Sequence, residues 1–229
     1  MNNQAIESTT ELEYLLSVDT PTLSNAIELL NMRPKERGFT PLGIRCLFPE
    51  LGRMCGYAVT AQVETVTQMA PFEMDEFVAL YKALEGSAKP AVIVLQEIGA
   101  YPEYAAHCGE VMATFFTRLG AIGLVTDCAV RDLPEVRAMG FRFFAAGAVA
   151  SHANFRIARI GIPVQIRGMV VRPNELIHAD ENGTITVPEA GIEEIKTAVD
   201  TVRRRERKIM NFVRGASFDL DHLQKLVVE

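Results

Sequence analysis

The hydrophobic positions of the chain switch repeatedly between two periods, and the switching itself outlines an α/β protein. After a polar opening, residues 11–17 suit a short helix. Residues 19–30 suit another, because Leu23, Ala26, Ile27 and Leu30 share one face at helical spacing. Asp19 or Thr20 can cap its start, and Pro21 fits the first turn. Residues 43–47 make a short strand. Residues 56–66 then alternate, with the β-branched content of a strand. Over 71–87 the helical period returns, with Phe77, Leu80, Tyr81 and Leu84 as the apolar stripe. Residues 89–96 are almost continuously apolar, as expected of a strand covered on both faces.

A loop from Glu97 ends in Gly109-Glu110 and opens a helix over 111–119, with Gly120 suited to its C-terminal end. The apolar run 122–126 reads as a buried strand. Arg131-Asp132 follows it, then a helix over 134–139 that stops at Gly140, then a strand over 141–146. Strand, helix, strand, helix, strand between 89 and 146 amounts to two βαβ units sharing a strand, which implies a largely parallel core. Further on, 162–171 has the composition of one strand. Residues 176–180 and 184–188 flank the turn Asp180-Glu181-Asn182-Gly183 as a hairpin, and 189–214 is mostly one long helix. No repeat, low-complexity stretch or linker divides the chain, so residues 1–229 read as a single domain with a long C-terminal helix and tail.

Composition narrows the function. A length of 229 residues suits one domain with a sizeable core. No apolar run is long enough to cross a bilayer, and the N-terminus lacks the basic-then-apolar pattern of a signal peptide, so the expectation is a cytoplasmic protein. A net charge of −6 and a pI near 5.4 provide no global field for nucleic acid. The basic run 203–208 lies in a predicted helix and reads as a solvated face, so no direct nucleic-acid binding is expected. Cysteines 46, 55, 108 and 128 form no CxxC pair, which indicates neither a zinc site nor a disulfide framework. The sequence motifs of dinucleotide, P-loop, zincin and GxSxG hydrolase sites are missing.

The chemistry concentrates on two loops. One ends at Gly109 and opens a helix; the other ends in Arg131-Asp132 and opens the next. Adjacent parallel strands would carry both loops to one edge of the sheet, where open α/β sheets keep their ligands. Gly109 permits close backbone approach, and the amides of Gly109, Glu110, Val111 and Met112 could hold a carboxylate. Arg131 could bind a carboxylate or keto oxygen with its planar fork. Asp132 could hold Mg²⁺, which often takes only one or two carboxylates and keeps its waters. Glu135, one turn on, could orient such a water or act as a base through it. The plainer alternative is an N-cap with a surface ion pair, and the residues alone favour it. His107 reads as an exposed loop histidine, His178 and Asp180 as structural, and His152 as a group near the strand ends. Cys108 and Cys128 border the loops without a dedicated base.

Six stretches carry a resemblance to a known family. They are Asp19-Thr-Pro-Thr-Leu-Ser-Asn-Ala26, Gly56-Tyr-Ala-Val-Thr-Ala61, Gly109-Glu-Val-Met-Ala113, the run from Gly123 to Asp132, Leu176 to Gly183, and Val187-Pro188. In this order they resemble the RraA-like family, which includes the regulator of ribonuclease E activity and the class II 4-hydroxy-4-methyl-2-oxoglutarate (4-carboxy-4-hydroxy-2-oxoadipate) aldolases. The resemblance implies an α/β, αββα-type sandwich similar to the swivelling phosphohistidine-domain fold, assembled as a homotrimer or a hexamer of two trimers. It implies that the amides of Gly109, Glu110, Val111 and Met112 bind pyruvate, that Arg131 binds substrate, and that Asp132 holds Mg²⁺ or Mn²⁺. The aldolase-type members have an acidic residue three positions after that aspartate, and Glu135 supplies it. The implied activity is metal-dependent cleavage of a 4-hydroxy-2-oxo acid to pyruvate, with oxaloacetate decarboxylation through the same enolate. The alternatives are a non-catalytic regulator that inhibits a ribonuclease, and a lyase acting on another hydroxy or sugar acid. Cys108 stands where members usually have an aromatic residue, and Cys128 where a glycine often follows the strand aspartate. The pocket wall therefore differs from theirs.

Overall fold

The computed structural model describes residues 9–66, 74–189, 191–216 and 218–221. In chain order it runs α1 (Thr9–Ser17), α2 (Thr20–Leu29), β1 (Arg45–Cys46), β2 (Met54–Val66), α3 (Met74–Glu85), β3 (Ala91–Glu97) and α4 (Glu110–Arg118). Then come β4 (Ala121–Thr126), β5 (Ala129–Val130), α5 (Leu133–Ala138), β6 (Arg142–Ala145), β7 (Gly147–Ala148) and β8 (Asn154–Ile160). The chain closes with β9 (Val164–Ile166), β10 (Met169–Val171), β11 (Leu176–Asp180), β12 (Gly183–Val187) and α6 (Ile192–Arg214). The first residues of the helix expected over 71–87 lie outside the described residues.

An eight-stranded sheet organises everything else, in the order β1-β6-β4-β3-β2-β11-β12, with β8 also pairing β2. Strands β2, β3, β4 and β6 are parallel, as the two βαβ units require. Strand β2 is long enough to pair antiparallel with β11 along Met54–Tyr57 and with β8 along Ala61–Val66. The pleat sends alternate side chains to opposite faces. Val59, Ala61, Val63, Ile93, Leu95, Leu124 and Phe143 enter one core with α3, α4 and α5. Met54, Ala58, Val92, Val94, Val125 and Phe144 enter a second core beneath β9 and β10. Helices α1, α2 and α6 cover β11 and β12 in a third. The result is the mixed α/β arrangement expected, with a large central sheet and helices packed against it.

Besides the unexpected two-residue strands β5 and β7, two longer segments depart from expectation. Residues 162–171 are not one strand but the hairpin β9–β10, folded at Arg167 (φ 45°) and Gly168 (φ 104°). Two successive left-handed residues make the tight turn whose twist suits a hairpin, and Gly168 is its marker. Strand β8 was not expected at all. Its residues are mostly exposed or half-buried, and Arg156 and Arg159 dilute its apolar alternation. The helix start at Asp19 is as expected: its carboxylate accepts a hydrogen bond from Thr22 N at 2.8 Å.

Candidate functional site

The Gly109 and Arg131-Asp132 loops meet at the carboxyl ends of β3 and β4. A parallel run of backbone bonds locks them together: His107 N donates to Ala129 O at 2.9 Å, and Arg131 N donates to Cys108 O at 2.9 Å. The Asp132 Oδ2 then accepts from Glu110 N at 2.9 Å, across the gap between the two helix starts. Asp132 adopts a left-handed conformation (φ 55°, ψ 45°), uncommon for a residue other than glycine. It stands at the N-cap position of α5, yet its side chain caps α4 instead. Arg131 Nε lies 3.5 Å from the same oxygen, and both side chains are about one-third exposed (35%). A side chain at 109 would have to displace Asp132 and Arg131. A Cβ there would lie 2.3 Å from Asp132 Oδ2 and 2.9 Å from Arg131 Cγ.

The Glu110 amide is therefore taken by Asp132, which leaves the Val111 and Met112 N–H groups as the donors of the helix start. Gly109, Val111, Met112 and Arg131 line a cavity of about 430 Å³. His152 and Arg156 reach it from the segment before and within β8, while Phe77, Tyr81, Phe115 and Phe155 supply much of its wall. Asp132 and Glu135 are not among its lining residues, and Glu135 is exposed on the first turn of α5.

Behind the loops is a buried polar network that sequence reasoning missed. His107, expected to be an exposed loop residue, is fully buried. Its Nε2 lies 2.7 Å from Glu97 Oε2, and its Nδ1 lies 3.2 Å from Thr126 Oγ1. Glu97 also accepts from Thr65 N at 2.9 Å, Thr65 Oγ1 at 2.5 Å and Gly99 N at 2.6 Å. Burial pushes its carboxyl up, but the hydrogen bonds from His107 and Thr65 outweigh this and hold it at about 2. Asp127 Oδ1 accepts from Glu97 N at 2.8 Å, so one strand end clamps the next. The polar run Gln96-Glu97 ending an apolar strand was the available signal.

A family model described as Aldolase/RraA, RraA-like, matches residues 20–186. The chain belongs to the RraA-like family. This family holds both aldolase-type proteins and ribonuclease E regulators. A Halalkalibacterium halodurans protein, whose name carries the provisional assignment 4-hydroxy-4-methyl-2-oxoglutarate aldolase, is 29% identical over 163 residues. That match spans 68% of this chain and 72% of the relative. Among solved structures, Streptomyces coelicolor RraAS2, described as an unusual member of the RNase ES inhibitor RraA family, is 25% identical with a TM-score of 0.65. It covers 90% of this chain and 96% of its own. An uncharacterized Pseudomonas syringae protein is 22% identical with a TM-score of 0.69, covering 98% of this chain and 100% of its own, and supports the fold.

Among the described residues of this RraA-like chain, two places have the chemistry to hold a cation. The first is Glu97, His107 and Cys128, whose ligand-type atoms lie within 4.8 Å of one another in the interior. All three are already engaged: Cys128 Sγ donates to Pro102 O at 2.7 Å, and burial raises its thiol to about 12. The second is Asp132, whose Oδ1 has no partner among the described residues while Oδ2 is fixed. One exposed carboxylate oxygen matches a cation that keeps several waters, which is the habit of Mg²⁺. Cys108 is a thiol whose ionisation burial opposes, so it offers no ready nucleophile. His178 and Asp180, expected to be structural, are buried: His178 Nδ1 lies 3.0 Å from Thr20 Oγ1, and Asp180 Oδ2 accepts from Thr20 N at 2.8 Å. Among the described residues no helix is long and apolar enough to cross a membrane.

Proposed function

We propose that the protein is a divalent-metal-dependent aldolase that cleaves a 4-hydroxy-2-oxo acid to pyruvate and decarboxylates oxaloacetate as a side activity. The observation that carries this is the Asp132 carboxylate, fixed by the Glu110 amide beside Arg131, which lines the cavity. The name of the H. halodurans relative supports the same reading. Arg131 binds the substrate carboxylate with its fork, and the Val111 and Met112 amides hold the pyruvyl end. Asp132 is the residue that would hold Mg²⁺ or Mn²⁺, and the ion would supply positive charge beside the keto oxygen. Glu135 takes up the C4 hydroxyl proton through water as the C3–C4 bond breaks. Fixed charge and amide dipoles stabilise the enolate, which is protonated to pyruvate. The working unit is a homotrimer or a pair of trimers.

The direct test is pyruvate release from 4-hydroxy-4-methyl-2-oxoglutarate and from oxaloacetate, with Mg²⁺ and then with a chelator. Both activities should need the metal and should disappear in Asp132→Ala. Full metal-dependent turnover in Asp132→Ala would refute the assignment. Arg131→Lys should lose roughly 10–100-fold in kcat/KM, because a point charge cannot replace a bidentate fork.

The second reading is a non-catalytic regulator that binds a ribonuclease, and it is supported by the likeness to the S. coelicolor protein over nearly the whole chain. Retention of an RNA-degrading enzyme on the immobilised protein, with no turnover of either oxo acid, would favour it.

A further inference from the structure

The cavity reaches well beyond what pyruvate needs. At roughly 30 Å³ per water-sized group, about 430 Å³ holds on the order of fourteen such groups, while pyruvate has only six heavy atoms. The wall beyond Gly109 and Arg131 is aromatic. Helix α3 contributes Phe77 and Tyr81, α4 contributes Phe115, and β8 contributes Phe155. Tyr81 and Phe115 stack at 4.8 Å between ring centroids, and Phe77 meets Phe155 edge-on at 5.7 Å. A substrate with a second carboxylate would need a second cation here. Among the described residues, the one arginine or lysine lining the cavity besides Arg131 is Arg156. Its Nε and Nη2 both donate to Glu64 Oε2, at 2.8 and 2.6 Å. His152, the remaining basic group of the lining, has Nδ1 turned back on Ala153 O at 2.5 Å. A dicarboxylate tail would meet an arginine already paired with Glu64, in a cavity whose walls are largely aromatic.

Building on the pyruvate-releasing reading above, we infer that the C4 substituent of the substrate is an uncharged aromatic group. The substrate class is then a 4-aryl-4-hydroxy-2-oxo acid, the aldol of pyruvate with an aromatic aldehyde. Cleavage breaks C3–C4, leaves the electron pair on the pyruvyl fragment as its enolate, and turns the C4 carbinol into the aldehyde. The hydroxyl proton goes to the base, and one proton returns to C3. The products are one aromatic aldehyde and one pyruvate, and no oxidant or co-reactant is needed. The aromatic walls select the tail by apolar burial and edge-to-face contact. The Glu64 carboxylate offsets the Arg156 charge and so weakens the attraction for a charged tail.

Three assays on the full-length, Mg²⁺-loaded protein separate this from the reading beneath it. Oxaloacetate decarboxylation reports the enolate chemistry without the aryl tail. Pyruvate release from 4-hydroxy-4-phenyl-2-oxobutanoate and from 4-hydroxy-4-methyl-2-oxoglutarate reports the tail. The phenyl substrate should be preferred by about tenfold or more in kcat/KM, the scale that pocket shape and burial can supply. Phe115 is half-exposed, so Phe115→Arg should fold. It should lower that preference about tenfold. Glu64→Gln frees Arg156 and should raise turnover of the dicarboxylate. Oxaloacetate turnover with a preference for the methyl dicarboxylate would overturn the tail assignment and leave the aldolase reading standing. An unchanged preference in Phe115→Arg together with dissociation into smaller assemblies on sedimentation would assign the aromatic wall to contacts between copies, and would also overturn it. Inactivity on all three substrates would remove both readings together.

Discussion

Gly109→Ala tests the join between the two loops, and its consequence follows from distances alone. The backbone at 109 is extended (φ −134°, ψ −165°), so alanine is conformationally acceptable and any effect must come from contact. The added Cβ would stand 2.3 Å from Asp132 Oδ2 and 3.0 Å from Arg131 Nε. Ordinary contact begins near 3.4 Å, so the carboxylate or the start of α4 must move by about 1 Å. That displacement breaks the 2.9 Å bond from Glu110 N to Asp132 Oδ2. A hydrogen bond to a charged acceptor is worth about 1.5–3 kcal/mol, and the partial exposure of Asp132 places this one at or below the low end. The expected loss of stability is therefore about 1–1.5 kcal/mol in urea unfolding, with faster hydrogen exchange at the Glu110 amide. If the pair serves a reaction, a shift of about 1 Å should also cost roughly 100-fold in kcat. Gly147→Ala is the control, because its Cβ meets nothing within 4 Å and it should change stability by less than about 0.5 kcal/mol. Unaltered stability and an unaltered Glu110 exchange rate in Gly109→Ala would refute the claim that this contact joins the loops.

Two further predictions concern the buried polar groups. Glu97 ionises at about 2 in the folded protein, below its ordinary value of 4.5, so its stabilisation is complete above about pH 4.5 and is lost as the pH falls toward 2. Glu97→Gln should lower the urea midpoint at pH 6, and the gap from the parent should narrow at pH 3; a gap independent of pH would contradict an ionised Glu97. Burial lowers the pKa of His178 below its ordinary 6.5, so protonation favours the unfolded chain and stability should fall as the pH drops below about 6.5. His178→Gln should flatten that part of the urea-midpoint profile, and a profile of unchanged slope would point to another group.

Much of the fold and part of the candidate site were legible in the linear pattern. Helix α2 announced itself through Asp19, Pro21 and one apolar face, because capping and helical periodicity are local. The parallel order β6-β4-β3 followed from alternating strand and helix, since a βαβ crossover leaves little other choice. The proximity of Gly109 to Arg131-Asp132 followed from the same rule. The β9–β10 turn and β8 escaped notice. One was hidden in an apolar run, and the other carries arginines on an exposed alternation.

The element order, the parallel core and the two loops that carry the family motif can all be read from the linear pattern. These depend on chain-local propensities and on connection rules. Only the tertiary structure decided that Glu110 spends its amide on Asp132, that His107 is an interior partner of Glu97, and that Glu64 neutralises Arg156 beside an aromatic cavity. Each of these is a hydrogen bond between residues ten or more positions apart in sequence. Its partner is fixed by sheet register and helix packing, to within a few tenths of an ångström, and no residue type or spacing encodes that distance.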